Sequence, residues 1–150
     1  MTDCVICRVI SGELPISLVY RDERCAAFMD IQPVNPGHLL VVPLEHQPYL
    51  ADIDGEMAGH LMRVAHRLAA ALRSSDIRCE GVNLFVADGK AAMQEVFHVH
   101  LHVFPRYVGD GFGLKFGPDY KNRPPRAELN RIATELREII AHDEPPAQSA

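Results

Sequence analysis

His98, His100 and His102 stand two residues apart, with Val99 and Leu101 between them and Val103 and Phe104 after them. Imidazole changes charge near neutral pH, ligates metals and acts as a nucleophile. Alternation of polar and apolar residues predicts a strand with one buried face. Residues i, i+2 and i+4 of a strand share a side, so the three rings form a column with neighbouring Cα atoms roughly 6.5 Å apart. Val99, Leu101 and Val103 then face the core. One histidine on an exposed strand face is usually just a polar residue, but three in register point to a site. Two chemistries fit. The rings could hold a catalytic zinc ion with water, or one could attack phosphorus while its neighbours handle a phosphate. The spacing alone does not choose.

Two further clusters carry chemistry. Cys4 and Cys7 are spaced to give two thiolates to one zinc ion if two more ligands arrive. His46 and one member of the triad would complete the set. A redox pair is the rival reading, but it wants the motif after a strand and opening a helix, and here it stands at the start of the chain. Cys25 and Cys79 have no companions and read as core or partly buried thiols. The third cluster is the segment from Asp30 to His38. Asp30 follows a predicted strand and reads first as a turn carboxylate, yet a carboxylate can also accept from both hydroxyls of a ribose. His38 opens an apolar strand and could reach the triad if the two strands are neighbours.

The elements that must position these groups follow from periodicity and breakers. Strands are predicted at 16–20 and 25–29 around a turn, then at 38–43 after a loop at 32–37 with two prolines and a glycine. Residues 55–73 carry Met57, Leu61, Val64, Ala65, Leu68 and Leu72 at helical spacing, with Asp54 placed to cap. A strand at 82–87 and a turn at Asp88-Gly89-Lys90 lead to the histidine strand at 97–104, which is expected to stop at Pro105. Residues 107–125 are glycine- and proline-rich and read as irregular, and 126–141 read as a final helix. The expected class is α+β: an antiparallel sheet with one long helix and a C-terminal helix. One domain over 1–142 and a disordered tail over 143–150 are expected.

Composition narrows the functional classes. The chain has 150 residues, 47% of them hydrophobic and 23% charged, which suits a soluble domain that needs no disulfide staples. A formal net charge of -5 argues against a non-specific nucleic-acid binder. No apolar run approaches membrane-spanning length, and the first residues lack a signal-peptide pattern, so a cytoplasmic setting with reduced cysteines is expected.

Taken together, residues 4–117 resemble the histidine triad (HIT) family. The run from His98 to Phe104 matches the family signature and is followed by Pro105 and Arg106. Asp30-Ile31, the run from Pro36 to Pro43, Gly89, and Gln94-Glu95-Val96-Phe97 also fit, in the family's order. Cys4, Cys7 and His46 are similar to the zinc-carrying bacterial members, and that resemblance makes His98 the fourth zinc ligand. It also chooses the phosphorus chemistry: His100 attacks the α-phosphate of a nucleotide, a nucleotidyl-histidine forms, and water cleaves it. A backbone carbonyl accepting from the other ring nitrogen would fix the reactive tautomer. His102 and His38 would support His100 or donate to phosphate oxygens. Gln94 and nearby amides, those of Glu95 and Val96 among them, would hold the phosphate. Asp30 would hold the ribose, and Phe28 and Ile31 would flank the base.

The implied activity is hydrolysis of a purine nucleoside phosphoramidate. His102 favours hydrolysis, because a glutamine there would mark the transferase branch. The alternatives are a dinucleoside polyphosphate hydrolase, which the loop from Pro33 to His38 resembles, and a nucleotide-binding module with incidental hydrolysis. The resemblance also implies a two-fold homodimer that joins its sheets, with no nucleic-acid or membrane partner. Three positions depart from the family: Met93 replaces a common glycine, Ala87 a common asparagine, and Glu95 the serine or threonine of some branches.

Overall fold

The structure is a computed structural model describing residues 3–143. It divides into two compact units, Met1–Phe112 and Gly113–Ala150. The first holds five strands: β1 (Leu18–Arg21), β2 (Cys25–Met29), β3 (Leu39–Pro43), β4 (Gly81–Val86) and β5 (Leu101–Arg106). They form one sheet in the order β1-β2-β3-β5-β4, with every neighbouring pair antiparallel. Helix α1 (Val5–Ile10) precedes the sheet and α2 (Gly55–Ser74) crosses from β3 to β4. The α+β class is as the sequence predicts. The second unit carries α3 (Arg126–Asp143), with Leu129, Ile132, Leu136 and Ile139 at helical spacing. The tail expected over 143–150 lies outside the described residues, apart from Asp143, which ends α3.

The two faces of the sheet bury different partners. Cys25, Ala27, Leu39, Val41, Val99, Leu101 and Val103 pack against Leu61, Val64, Ala65, Leu68 and Leu72 of α2. Each large aliphatic side chain there contributes roughly 2 kcal/mol by leaving water. Asp54 caps α2 by accepting from the Met57 amide at 2.7 Å. On the other face Ala26, Phe28 and Val42 pack with Ile6 of α1, beside Val9, Ile10 and Leu40. The β1–β2 turn is fixed by Asp22. It accepts from the amides of Arg24 and Cys25 at 2.8 Å, from Tyr20 at 2.7 Å and from His60 of α2 at 2.8 Å.

Two expectations need correction. The histidine strand was expected over 97–104 with Pro105 as its stop, but β5 runs from Leu101 to Arg106. Its pairing with β3 ends at Val103, so Pro105 meets only β4 there and its missing N–H breaks no ladder with β3. The Cys4–Cys7 motif was read against a helix start because of its place in the chain, yet Cys4 is the N-cap of α1 and Cys7 lies in its first turn. No strand precedes it among the described residues. At six residues, α1 is too short to show an amphipathic period and is held by packing.

Candidate active site and metal centre

The antiparallel register aligns the site. Phe28 of β2 pairs with Leu40 of β3, Leu40 with His102 of β5, and His102 with Phe85 of β4. Directly opposed residues share a face, so this row lies on the side of the sheet covered by α1. Val99, Leu101 and Val103 enter the α2 core, which leaves His98, His100 and His102 on the row's side.

Each ring has a defined hydrogen-bond partner, and together the partners dictate tautomers. The His98 carbonyl accepts from Nδ1 of His100 at 2.6 Å. The His100 Nε2 lone pair is therefore free for attack. The Val34 amide donates to Nδ1 of His38 at 3.0 Å, so the His38 proton sits on Nε2. That Nε2 lies 2.9 Å from Nδ1 of His102 and donates to it, which places the His102 proton on its own Nε2. A nucleophilic nitrogen and a proton-bearing nitrogen thus occupy neighbouring rings whose centroids are 4.8 Å apart.

Burial favours the neutral forms of His102 and His38. It pushes His102 down to about 4, with His100 and His38 adding repulsion and Asp30 opposing. It also lowers His38, against the pull of the Asp30 carboxylate 3.7 Å away.

The other expected site residues are placed unevenly. Asp30 stands beside His38 and accepts from the Gln32 amide at 2.8 Å. Ile31 is 94% exposed, whereas Phe28 is only 6% exposed and packs with Ile6. The Gln94 carboxamide accepts from the Gly89 amide at 2.7 Å and donates to the carbonyls of Pro48 and Val96 at 2.8 and 3.2 Å. Both its donor protons meet backbone carbonyls, so its side chain braces the 89–97 loop. Among the described residues no hydrogen bond occupies the amides of Glu95, Val96 and Phe97. Missed by sequence reasoning were Val34 and Asn35, which shape the loop around His38. Only the turn chemistry of Asn35 and Pro36 signalled them.

Cys4, Cys7, His46 and His98 each turn one ligand atom to a common point, all within 4.8 Å of one another. The His98 Nε2 donates to the Pro43 carbonyl at 2.9 Å, which leaves Nδ1 as a lone pair facing both sulfurs at 3.6 Å. Nδ1 of His46 lies 3.3 Å from the Cys7 sulfur. Burial lowers His98 and raises the Cys4 thiol. A carbonyl holding the far nitrogen of a ligating histidine is the support such metal sites use. The four groups suit a metal ion.

A family model, the HIT domain, matches residues 11–109. The chain belongs to the histidine triad (HIT) family. A HIT-like protein of Borreliella burgdorferi is 42% identical over 118 residues, 78% of this chain and 85% of that protein. An adenosine 5′-monophosphoramidase of Saccharomyces cerevisiae is 37% identical over 103 residues, 69% of this chain and 62% of the yeast protein. Among solved structures, a zinc-bound histidine triad protein from Mycobacterium smegmatis is 38% identical with a TM-score of 0.71, covering 89% of this chain and 97% of that one. One departure of this HIT chain has a visible cost. Met93 adopts the left-handed region at φ 66°, a conformation that suits the glycine common in the family.

Proposed function

We propose that this HIT protein hydrolyses purine nucleoside phosphoramidates through a nucleotidyl-histidine at His100. The observation that carries the reading is the set of ring partners, the His98 carbonyl on Nδ1 of His100 and the Val34 amide on His38, which leaves a lone pair on Nε2 of His100 and a proton on Nε2 of His102. Nε2 of His100 attacks the α-phosphorus and the P–N bond breaks. Its electron pair leaves with the amine, whose nitrogen takes a proton from solvent while His102 Nε2–H donates a hydrogen bond to it. Water then attacks phosphorus, His100 departs, and the proton that water sheds passes to solvent. The free amides of Glu95 and Val96 hold phosphate oxygens, Asp30 takes the ribose hydroxyls, and Ile31 and Phe28 border the base. The likeness to the yeast monophosphoramidase supports the substrate class.

One zinc ion per chain is held by Cys4, Cys7, His46 and His98, supported by the donor geometry and the zinc-bound relative. Four protein ligands close the site, so the ion supplies structure and no open position for substrate. The chain works as a two-fold homodimer in the cytoplasm.

The test is release of AMP from adenosine 5′-phosphoramidate, with His100→Gly beside the parent. Turnover by the parent and a loss of about 1,000-fold or more in the variant is expected. Equal turnover by both would overturn the nucleophile assignment. Turnover of diadenosine polyphosphate alone would move the substrate to the polyphosphate class. Nucleotide binding without turnover of either would make the protein a binding module.

A further inference from the structure

The His38–His102 relay depends on one hydrogen bond, from the Val34 amide to Nδ1 of His38. What fixes that amide is a cluster behind the site. Asn35 is 4% exposed, and its carboxamide donates to the Pro105 carbonyl and to Asp110 Oδ2, both at 2.9 Å. The Asn35 carbonyl in turn accepts from the His38 amide at 3.1 Å. Asp110, with its side chain 3% exposed, also binds Nε and Nη2 of Arg106 at 2.5 and 2.9 Å, and the amides of Phe112 and Tyr107. Arg106 donates to the Phe112 carbonyl at 2.7 Å and lies over its ring. Phe112 packs on Phe104, and Phe104 packs on His38. The cluster therefore grips His38 twice, through the 34–38 loop and through the edge-on contact of Phe112 with Phe104.

We propose that Asn35 and Asp110, tied down by Arg106, are positioning residues that hold the Val34 amide on His38 and so set the tautomer that turns a proton of His102 toward the leaving group. The proposal rests on the relay reading above. If the loop loosens, Nδ1 of His38 loses its donor, the ring can carry its proton on either nitrogen, and His102 no longer has a fixed proton-bearing face. The loss then falls on leaving groups that need a proton and spares those that do not.

Asn35→Ala and Asp110→Asn are the variants, and Arg106→Lys is a third that keeps the charge but loses the fork. They are compared with the parent on a phosphoramidate of a basic alkylamine and on an AMP ester of an acidic nitrophenol. A fall of about tenfold to 100-fold in kcat on the amine, with KM and the nitrophenyl rate within about threefold, is expected. Nitrogen-15 chemical shifts of His38 should show a lone-pair Nδ1 in the parent and averaged nitrogens in Asn35→Ala. In a His38→Gln background, Asn35→Ala should cost nothing further, because both act through one ring. Equal losses on both substrates, or losses that add to His38→Gln, would overturn the proposal. A parent inert on every substrate would defeat the relay as catalysis, and the nitrogen shifts would still decide whether Asn35 sets the tautomer.

Discussion

At the scale of single residues the site depends on neutral imidazoles whose partners leave one nitrogen of each in a defined state. The unfolded chain protonates His102 near 6.5, whereas the folded chain resists until about 4. Between those values the unfolded state binds more protons, so stability rises with pH across the window and is lost as pH falls from 6.5 toward 4. His38 contributes in the same direction. Asp22 and Asp110, held below the usual carboxylate range, withdraw their support only in more acid solution. The thermal midpoint should therefore fall by roughly 5 °C between neutral pH and about pH 5, and by less in His102→Gln. A midpoint indifferent to pH over that span would show that the rings are not buried neutral. Met93 makes a second claim at this scale. Its side chain is 72% exposed, so it packs little against φ 66°. Met93→Gly should raise stability by about 0.5–1 kcal/mol in urea unfolding, and a loss of stability would mean that the loop needs the side chain.

At the scale of elements, a metal ion held by Cys4, Cys7, His46 and His98 would add a tie between α1, which otherwise rests on packing, and the entrance to β5. Helix α1 is six residues long, and Cys4 has no side-chain hydrogen bond as its cap. A closed zinc site would tie that helix to His98 at the entrance to β5, and Pro43 at the end of β3 fixes His98 in turn. Cys4→Ser should therefore lower the zinc content below one per chain and reduce the thermal midpoint by roughly 10 °C, with kcat per folded molecule within about threefold. Metal analysis and a melting curve check this, and an unchanged midpoint with no zinc would make the site incidental.

This is also the scale at which the sequence was most and least legible. The α2 period, the Asp54 cap and the five strands could be read because alternation and helical spacing each span several residues. Helix α1 could not, because six residues span fewer than two turns. Pro105 misled because a proline stops a ladder only where a partner strand needs its N–H, and pairing order is a tertiary fact. The histidine triad was legible because its chemistry and strand register coincide in one short run. The role of Gln94 was not, because its partners, the Gly89 amide and the Pro48 and Val96 carbonyls, are backbone groups that no side-chain pattern encodes.

At the scale of the molecule, everything assigned to the chemistry lies in the unit Met1–Phe112. That unit holds the whole sheet, α1 and α2, both hydrophobic clusters, the four residues that could hold a metal ion, and the rings of His38, His100 and His102. The HIT-domain match ends at residue 109, inside the same unit. Three residues beyond it, Phe112 meets the Phe104 ring edge-on and accepts from Arg106. The separable boundary is therefore set by packing and falls just after Phe112. A chain ending at Gly113 should fold, bind one zinc ion and melt within about 5 °C of the full chain. Its turnover of adenosine 5′-phosphoramidate should stay within about threefold of the parent, because no group that moves a proton or touches phosphorus has been removed. A chain ending at Asp110 loses the carbonyl and ring that Arg106 holds, and should fail first on basic leaving groups. If the longer truncation folds and binds zinc yet loses turnover by more than tenfold, the second unit contributes to the site directly, and the catalytic unit is the whole chain.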